Sequence, residues 1–180
     1  MRNGAAQCAR RLRDRLEHVG AARGLRWVPP AGMHLTVWFL GEVSEARAGA
    51  VLDALRPPLA IPPFSLRVSG FGAFPPSGPP RVLWMGVTEG LGGLGRLHEE
   101  VGLRLQPWGF RPEGRAYSAH LTIARIKAPP QGADRAAIRQ AVTHETGEAG
   151  ACQIDHLVVF RSHTSPAGAT HEPLLRVPLS

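Results

Sequence analysis

The chain repeats one short pattern, His-Leu-Thr followed by an aliphatic residue, over residues 34–37 and 120–123. On a β-strand, residues i and i+2 share a face. His34 therefore points with Thr36, and His120 points with Thr122, while the apolar residues of each copy point to the other face. The apolar pair can anchor a strand in a core while the polar pair lines a cavity. The repeat predicts two buried strands that present two imidazoles and two hydroxyls to one small anionic group.

Chance does not account well for this repeat. His-x-Thr occurs three times, whereas a chain of this composition should contain it roughly 0.3 times. The third copy, His144-Glu145-Thr146, lacks the apolar partners and is followed by Gly147. We interpret it as the frayed end of a helix. The alternative for the first two copies is a pair of core strands with buried, hydrogen-bonded histidines.

Further pieces accompany the two motifs in a fixed order along the chain. They are Arg26-Trp27-Val28-Pro29, Trp38-Phe39-Leu40-Gly41, Gly72-Ala73-Phe74-Pro75, Arg81-Val82-Leu83-Trp84, Ala124-Arg125 and Ser165-Pro166-Ala167-Gly168. With them the chain resembles the 2H phosphoesterase superfamily, and within it the bacterial and archaeal RNA 2′,3′-cyclic phosphodiesterases, also called 2′-5′ RNA ligases. The Phe-Pro and Ser-Pro-x-Gly pieces are typical of this RNA-processing branch.

The resemblance implies an α+β bilobal fold, in which two antiparallel sheets form a central cleft and the helices lie outside. It implies a single domain over residues 1–180, with two similar lobes and one His-x-Thr-x motif in each. Members of the family usually open with a short apolar strand. Residues 1–11 are polar and arginine-rich here, so either the true start lies upstream or the first strand is absent. Ala119 and His171 also stand where the family usually has Pro and Tyr.

The resemblance also assigns roles to individual residues. His34 is expected to be the general acid that protonates the leaving 3′ oxygen, and His120 the general base that activates water. Thr36 and Thr122 are expected to donate hydrogen bonds to the nonbridging phosphate oxygens. Arg125 is expected to bind substrate, although an ideal strand places it on the face opposite His120, so a bend or strand end is required.

Composition is consistent with one soluble domain. A chain of 180 residues with 43% apolar residues can bury one sizeable core. No stretch approaches the roughly 18 apolar residues of a membrane span, and the N-terminus has no secretory apolar region. Cys8 and Cys152 are solitary. We therefore expect a cytoplasmic monomer that does not associate with membranes and acts on RNA with 2′,3′-cyclic phosphate ends, tRNA fragments included.

The charge is concentrated at the N-terminus. The net charge is +7, and residues 1–26 hold seven arginines against Asp14 and Glu17. This segment is interpreted either as a basic helix that gathers RNA or as an ordinary solvated helix face. Lys127 is the one lysine. A nucleotidyl-transferring ligase needs a lysine nucleophile in a recognisable motif, and a P-loop needs Gly-Lys-Ser/Thr. The sequence contains neither motif, so any ligation should be independent of ATP.

Local patterns predict alternating elements. Helices are predicted over residues 7–22, 44–55 with Ser44 as its cap, 94–105 and 133–144. Strands are predicted over residues 33–40, 64–71, 81–87, 120–126, 154–161 and 173–178, with a connector over 57–63 and a Pro-rich loop over 75–80.

Two other types of site were considered. Gly90-x-Gly92-x-x-Gly95 matches a dinucleotide-binding fingerprint, but the βαβ unit is isolated, so a flexible strand-to-helix turn is favoured. The histidines lack the close spacing of zinc ligands. We therefore predict no metal and no cofactor. A small cyclic nucleotide or an ADP-ribose cyclic phosphate remains an alternative substrate, and a non-catalytic RNA-binding module remains an alternative function.

Overall fold

The computed structural model describes residues 1–112, 114, 116–165 and 168–180. Their α-helices are Arg2–His18 (α1), Glu45–Leu55 (α2), Leu91–Leu105 (α3) and Gly132–His144 (α4). Their strands are Leu25–Trp27 (β1), Phe64–Phe74 (β2), Val82–Glu89 (β3), His120–Ile126 (β4), Glu148–Ile154 (β5), His156–Ser165 (β6) and Gly168–Pro178 (β7). Pro166 and Ala167 of the Ser-Pro-x-Gly piece lie outside the described residues.

The strands form two sheets. A five-stranded sheet has the order β1-β4-β3-β2-β5, and a two-stranded sheet pairs β6 with β7. The pairs β1–β4, β4–β3, β3–β2 and β6–β7 are all antiparallel. The predicted α+β class with two antiparallel sheets is confirmed. Among the described residues, no helix is both long and apolar enough to cross a membrane.

Residue contacts group the chain into two compact units. The first unit contains Met1–Leu35, Arg67–Glu89 and His120–Cys152, and the second contains Thr36–Leu66, Gly90–Ala119 and Gln153–Ser180. Both motif histidines belong to the first unit, and the boundary falls inside the first motif, between Leu35 and Thr36. A single domain with one motif in each lobe stays a prediction.

Helix α1 packs through small side chains in the first unit. Its buried residues are Ala5, Ala6, Cys8, Ala9, Leu12 and Leu16, which recur at the helical period. The helix approaches β5 so closely that a Cβ on Gly4 would lie 2.2 Å from the carbonyl oxygen of Ala149. These small residues suit a close helix contact. The helix begins at Arg2 and ends at His18, so the predicted bounds of 7–22 are wrong at both ends.

The second unit has its own apolar core. Val51 and Leu55 of α2 pack against Val101 and Leu105 of α3 and against Val159 of β6. The spacing of four residues within each helix puts both members of a pair on one face. Burial of each such aliphatic side chain stabilises the fold by roughly 1.5–3 kcal/mol.

Helix α2 begins where the sequence predicts. Ser44 is the N-cap residue, and its carbonyl oxygen accepts the amides of Arg47 and Ala48 at 2.9 and 3.0 Å. The Ser44 side chain makes no capping hydrogen bond. The backbone geometry of the cap is therefore present, but the hydroxyl contribution that the cap rule anticipates is not.

The strand predicted over residues 33–40 is wrong. Leu35 forms an isolated antiparallel bridge with Leu121, and residues 36–40 belong to none of the described strands. A strand needs a hydrogen-bonding partner along its length, which local patterning cannot supply. Conversely, β1 and β5 were not predicted. β1 has three residues, which is too short for its alternation to be recognised, and β5 is rich in Gly and Ala and carries no clear apolar alternation.

Gly90 has a structural role in the turn that leads to α3. Its φ is +90°, and a Cβ there would lie 2.5 Å from the carbonyl oxygen of Ser65. Only glycine satisfies both constraints at low cost. The first glycine of the Gly90-x-Gly92-x-x-Gly95 pattern is therefore explained by the close approach of β2.

Candidate active site

Strand β4 is predicted correctly at both ends and presents the second motif as anticipated. His120 and Thr122 are partly buried, while Leu121 and Ile123 are 1% and 0% exposed. The apolar residues fill the core of the first unit and anchor the strand. The imidazole and the hydroxyl are thereby placed side by side on the opposite face.

The first motif joins this face through its histidine. The antiparallel bridge between Leu35 and Leu121 puts His34 opposite Thr122, because each lies one residue from the bridge. Residues directly opposite on antiparallel strands share a face. His34 is therefore placed on the same side of the sheet as His120 and Thr122.

The His34 ring is oriented by the backbone two residues before it in the chain. Its Nδ1 lies 2.8 Å from the carbonyl oxygen of Gly32. A carbonyl oxygen can only accept, so Nδ1 carries a proton and donates it to this bond. Proton exchange with a ligand is then left to Nε2, which donates when the ring is charged.

A β-bulge in β4 brings Arg125 to the same face. Thr122 pairs with Trp84, but Ala124 pairs with the next residue, Leu83, so Ile123 is an extra residue on β4. Trp84 and Leu83 are consecutive and point to opposite faces, hence Thr122 and Ala124 do as well. The alternation of side chains starts again after the extra residue, so Arg125 is exposed on the face of His120. An ideal strand would place Arg125 on the opposite face, so the bulge supplies the irregularity that its predicted role requires.

Arg26 is a neighbour that the sequence reasoning did not single out as a site residue. It lies directly opposite Arg125 in the β1–β4 register and is half-buried. Opposed residues share a face, so Arg26 lies on the same side as the motif residues. The sequence signal that could have indicated Arg26 is the Arg26-Trp27-Val28 piece, which is too short to be predicted as a strand.

Two aromatic rings support His120. The Phe74 ring contacts the imidazole edge to face, with centroids 4.9 Å apart and planes at 86°. Trp84 lies 5.2 Å from Phe74 and 6.4 Å from His120. Trp84 fits because residue 72 is glycine, where a Cβ would lie 2.2 Å from the indole ring. The rings restrict rotation of the imidazole and keep one side of it apolar.

Thr36 is the first residue of the second unit and is exposed. Its carbonyl oxygen accepts a hydrogen bond from the hydroxyl of Tyr117 at 3.2 Å. The next carbonyl, that of Val37, accepts from Nδ1 of His98 at 2.8 Å. The sequence pattern around His98 gave no sign of this contact.

The third His-x-Thr copy is placed elsewhere. His144 is the last residue of α4, as predicted, and Glu145 is its C-cap. Glu145 and Thr146 line a cavity of about 580 Å³ beside Ser69 and Phe71, which includes none of the motif residues 34–37 or 120–123.

Within the described part of the chain, no three His, Cys, Asp or Glu side chains gather into a group that could hold a metal ion. His156 contacts Asp155, and His163 lies 3.0 Å from Glu172. Each pair offers only two possible ligands, whereas a structural zinc site has four.

Helix α1 carries part of the basic charge on an exposed face. Arg10, Arg11, Arg13 and Arg15 are all exposed. Arg13 pairs with Glu17 at 2.7 Å, and Arg15 pairs with Glu145 at 2.9 Å. Exposed pairs of this kind contribute about 0–1 kcal/mol, so a polyanion can compete for these arginines.

Comparisons with known proteins cover nearly the whole chain. A family model described as LigT like Phosphoesterase matches residues 2–84 and 86–171. The RNA 2′,3′-cyclic phosphodiesterase of Aeropyrum pernix is 33% identical over 169 residues, which are 93% of this chain and 92% of that protein. The protein of the same name from Methanothermobacter thermautotrophicus is 30% identical over 160 residues, covering 88% of this chain and 83% of that protein.

A solved structure has the same fold. The crystal structure of TT0787 of Thermus thermophilus superposes with a TM-score of 0.74 at 26% identity. The match covers 97% of this chain and 92% of that one. The arrangement of helices and sheets described above therefore recurs in a protein of different sequence.

Proposed function

Because the chain belongs to the LigT-like phosphoesterase family, we propose that it hydrolyses RNA 2′,3′-cyclic phosphate ends to 2′-phosphates without a metal ion. The resemblance that the two motifs indicate is thereby confirmed. The observation that carries the proposal is the register of the first unit, which puts His34 opposite Thr122 and on one face with His120. Both relatives described above are named RNA 2′,3′-cyclic phosphodiesterase.

The two imidazoles supply the two proton transfers that ring opening requires. His120 accepts a proton from the attacking water, whose oxygen bonds to phosphorus. The bond from phosphorus to the 3′ oxygen breaks, and His34 gives that oxygen a proton from Nε2. The product is a 2′-phosphate with a free 3′-hydroxyl. Imidazole suits both tasks, because its unperturbed pKa of about 6.5 leaves either form accessible near neutrality.

The remaining predicted residues bind the phosphate. Thr36 and Thr122 donate hydrogen bonds to its nonbridging oxygens, which holds phosphorus in line between the imidazoles. Arg125 supplies positive charge, and the bulge in β4 supports this role because it turns the side chain to the face of His120. Such preorganised donors stabilise the charge of the transition state.

The same ring opening can join RNA ends reversibly. An RNA 5′-hydroxyl takes the place of water and gives its proton to His120, its oxygen bonds to phosphorus, and the bond from phosphorus to the 3′ oxygen breaks as His34 protonates that oxygen. The product is a 2′-5′ bond, and the cyclic phosphate supplies the energy that other ligases take from ATP. We propose RNA ends, tRNA fragments included, as the substrates and a cytoplasmic monomer as the working form.

One incubation tests the function directly. RNA ending in a 2′,3′-cyclic phosphate is incubated with the protein, with EDTA present and without ATP, and the end groups are identified. We expect a 2′-phosphate. Loss of activity in EDTA would favour a metal site. Hydrolysis of a cyclic mononucleotide or ADP-ribose cyclic phosphate but not of RNA would favour the alternative substrates. If none of these substrates were hydrolysed, the alternative function of a non-catalytic RNA-binding module would be favoured.

The pH dependence follows from the two roles. A site that needs one neutral and one charged imidazole gives a bell-shaped profile of kcat/KM. The rate rises as the base loses its proton and falls as the acid loses its own, and both limbs belong to the coupled pair. Initial rates from pH 4 to 10 measure the profile. A rate that climbs steadily to pH 10 would contradict the acid role of His34.

The basic face of α1 predicts a salt effect on long RNA. Replacing Arg10, Arg11, Arg13 and Arg15 together by Gln should weaken binding of long RNA and flatten its salt dependence, because fewer counterions are released. A dinucleotide-sized cyclic phosphate should be turned over as before, since it cannot span both the helix and the motif residues. Kinetics on both substrates at two salt concentrations measure this.

A matched control removes the same charge elsewhere. Arg56, Arg96, Arg161 and Arg176 are exposed residues of the second unit. Their joint replacement by Gln should leave long-RNA binding closer to wild type. Equal damage by both variants would mean that net charge alone attracts RNA, and equal damage to short and long substrates would mean that α1 supports the fold.

A further inference from the structure

The segment that carries Thr36 is held in an unusual way. Residues 36–40 belong to none of the described strands, although their composition predicts one. Backbone carbonyl groups need hydrogen-bond partners, and a strand obtains them from its neighbour. In this segment, two consecutive carbonyl groups obtain them from side chains of the second unit.

The partners are Tyr117 and His98. The Tyr117 hydroxyl donates to the carbonyl oxygen of Thr36 at 3.2 Å, and Nδ1 of His98 donates to that of Val37 at 2.8 Å. Both donors contact the backbone rather than the Thr36 side chain, and Thr36 is exposed. Together they fix the two peptide planes on either side of Val37. The first of these planes contains the Cα of Thr36, which is thereby held in place next to the bridged residue Leu35.

The donors are themselves held by ring stacking. The His98 ring lies between Trp38 and Tyr117, with centroid distances of 4.7 and 4.6 Å and interplanar angles of 30° and 10°. Trp38 packs against the apolar core of the second unit. It also packs against Gly102, where a Cβ would lie 2.7 Å from the indole ring. The stack thus connects the Thr36 segment to the apolar core of the second unit.

We propose that His98 and Tyr117 are positioning residues that aim the Thr36 hydroxyl at the substrate phosphate. This inference rests on the proposed function, in which Thr36 donates to a nonbridging oxygen. The stack does for this segment what a neighbouring strand does for β4. Thr122 is aimed by ladder pairing, and Thr36 is aimed by two side-chain donors.

The Tyr117 donor persists across the working range of pH. Burial raises the pKa of Tyr117 to about 12. The hydroxyl therefore keeps its proton wherever the imidazoles titrate. Removing it should lower the rate by the same factor at every pH and leave the limbs of the profile in place.

The first variant is Tyr117→Phe, which keeps the stacked ring and removes the donor. Because a misplacement of about 1 Å can cost about a hundredfold, we expect loss of one of two anchors to lower kcat roughly tenfold. KM should change little, since the affected contact tightens in the transition state. Steady-state kinetics on a dinucleotide cyclic phosphate, with thermal unfolding to check the fold, measure this.

A matched control removes a similar bond elsewhere. The hydroxyl of Thr143 donates to the carbonyl oxygen of Arg139 at 2.9 Å on α4. Thr143→Val therefore deletes one hydroxyl-to-carbonyl bond outside the motif segments. It should retain wild-type kcat, and an equal loss in both variants would overturn the proposal.

A double-mutant cycle isolates the route through Thr36. If Tyr117 acts through Thr36, adding Tyr117→Phe to Thr36→Val should cost little more than Thr36→Val alone. Additive losses would overturn the proposal, because they would mean that Tyr117 acts independently. An altered pH profile in Tyr117→Phe would overturn it as well.

His98 provides a second variant that does not depend on Tyr117. Asn places an amide N–H near the position of Nδ1, so His98→Asn should retain more activity than His98→Leu. Equal losses would overturn the role of this hydrogen bond. A wild-type protein that fails to hydrolyse the cyclic phosphate contradicts the proposed function, whereas an active wild type with an unaffected Tyr117→Phe variant contradicts this inference alone.

Discussion

His34→Ala and His120→Ala should each lower turnover of a 2′,3′-cyclic phosphate by roughly 10²–10⁴, the contribution of one general acid or base. Each change removes one of the two proton transfers. The fold should persist, because both rings are partly exposed and the apolar anchors of β4 remain. Single-turnover kinetics and thermal unfolding on the same samples measure the two effects separately.

His144→Ala is the matched control for the histidines. His144 belongs to the third His-x-Thr copy but ends α4, and it lies on none of the strands that form the site. Its replacement should change turnover little. If His144 proved as sensitive as His120, the choice among the three copies would be wrong.

Thr122→Val should lower kcat by up to about a hundredfold, equivalent to about 3 kcal/mol. Valine keeps the shape and strand preference of threonine but removes a donor aimed at the anion. Thr36→Val should have an effect of the same kind. Steady-state kinetics on a short cyclic phosphate measure the loss.

Thr88→Val is a control on the same sheet. Thr88 lies near the end of β3, and its hydroxyl is 3.2 Å from that of Ser69. It is exposed and is not part of either motif. Its replacement should leave kcat at the wild-type value. A loss as large as that of Thr122→Val would mean that the substitution acts by disturbing the sheet and not by removing a hydrogen bond to the phosphate.

The sequence by itself predicted acid–base chemistry for the candidate site and determined much of the local structure. His120–Ile126 is a strand with the predicted bounds, and the alternation of polar and apolar residues over 120–123 is a local property that matches the pleat. The start of α2 after Ser44 was also predicted correctly, although the Ser44 side chain makes no capping hydrogen bond. The paired His and Thr residues indicated acid–base chemistry at a phosphate from their types and spacing.

Tertiary structure decided the features that depend on pairing between two segments of the chain. Residues 36–40 have strand composition, but pairing is a property of two segments, and their carbonyl groups at Thr36 and Val37 are instead bound by Tyr117 and His98. The face of Arg125 was likewise decided by the pairing of β4 with β3. One extra residue in that ladder reverses every side chain beyond it, and no local pattern records on which strand the extra residue falls.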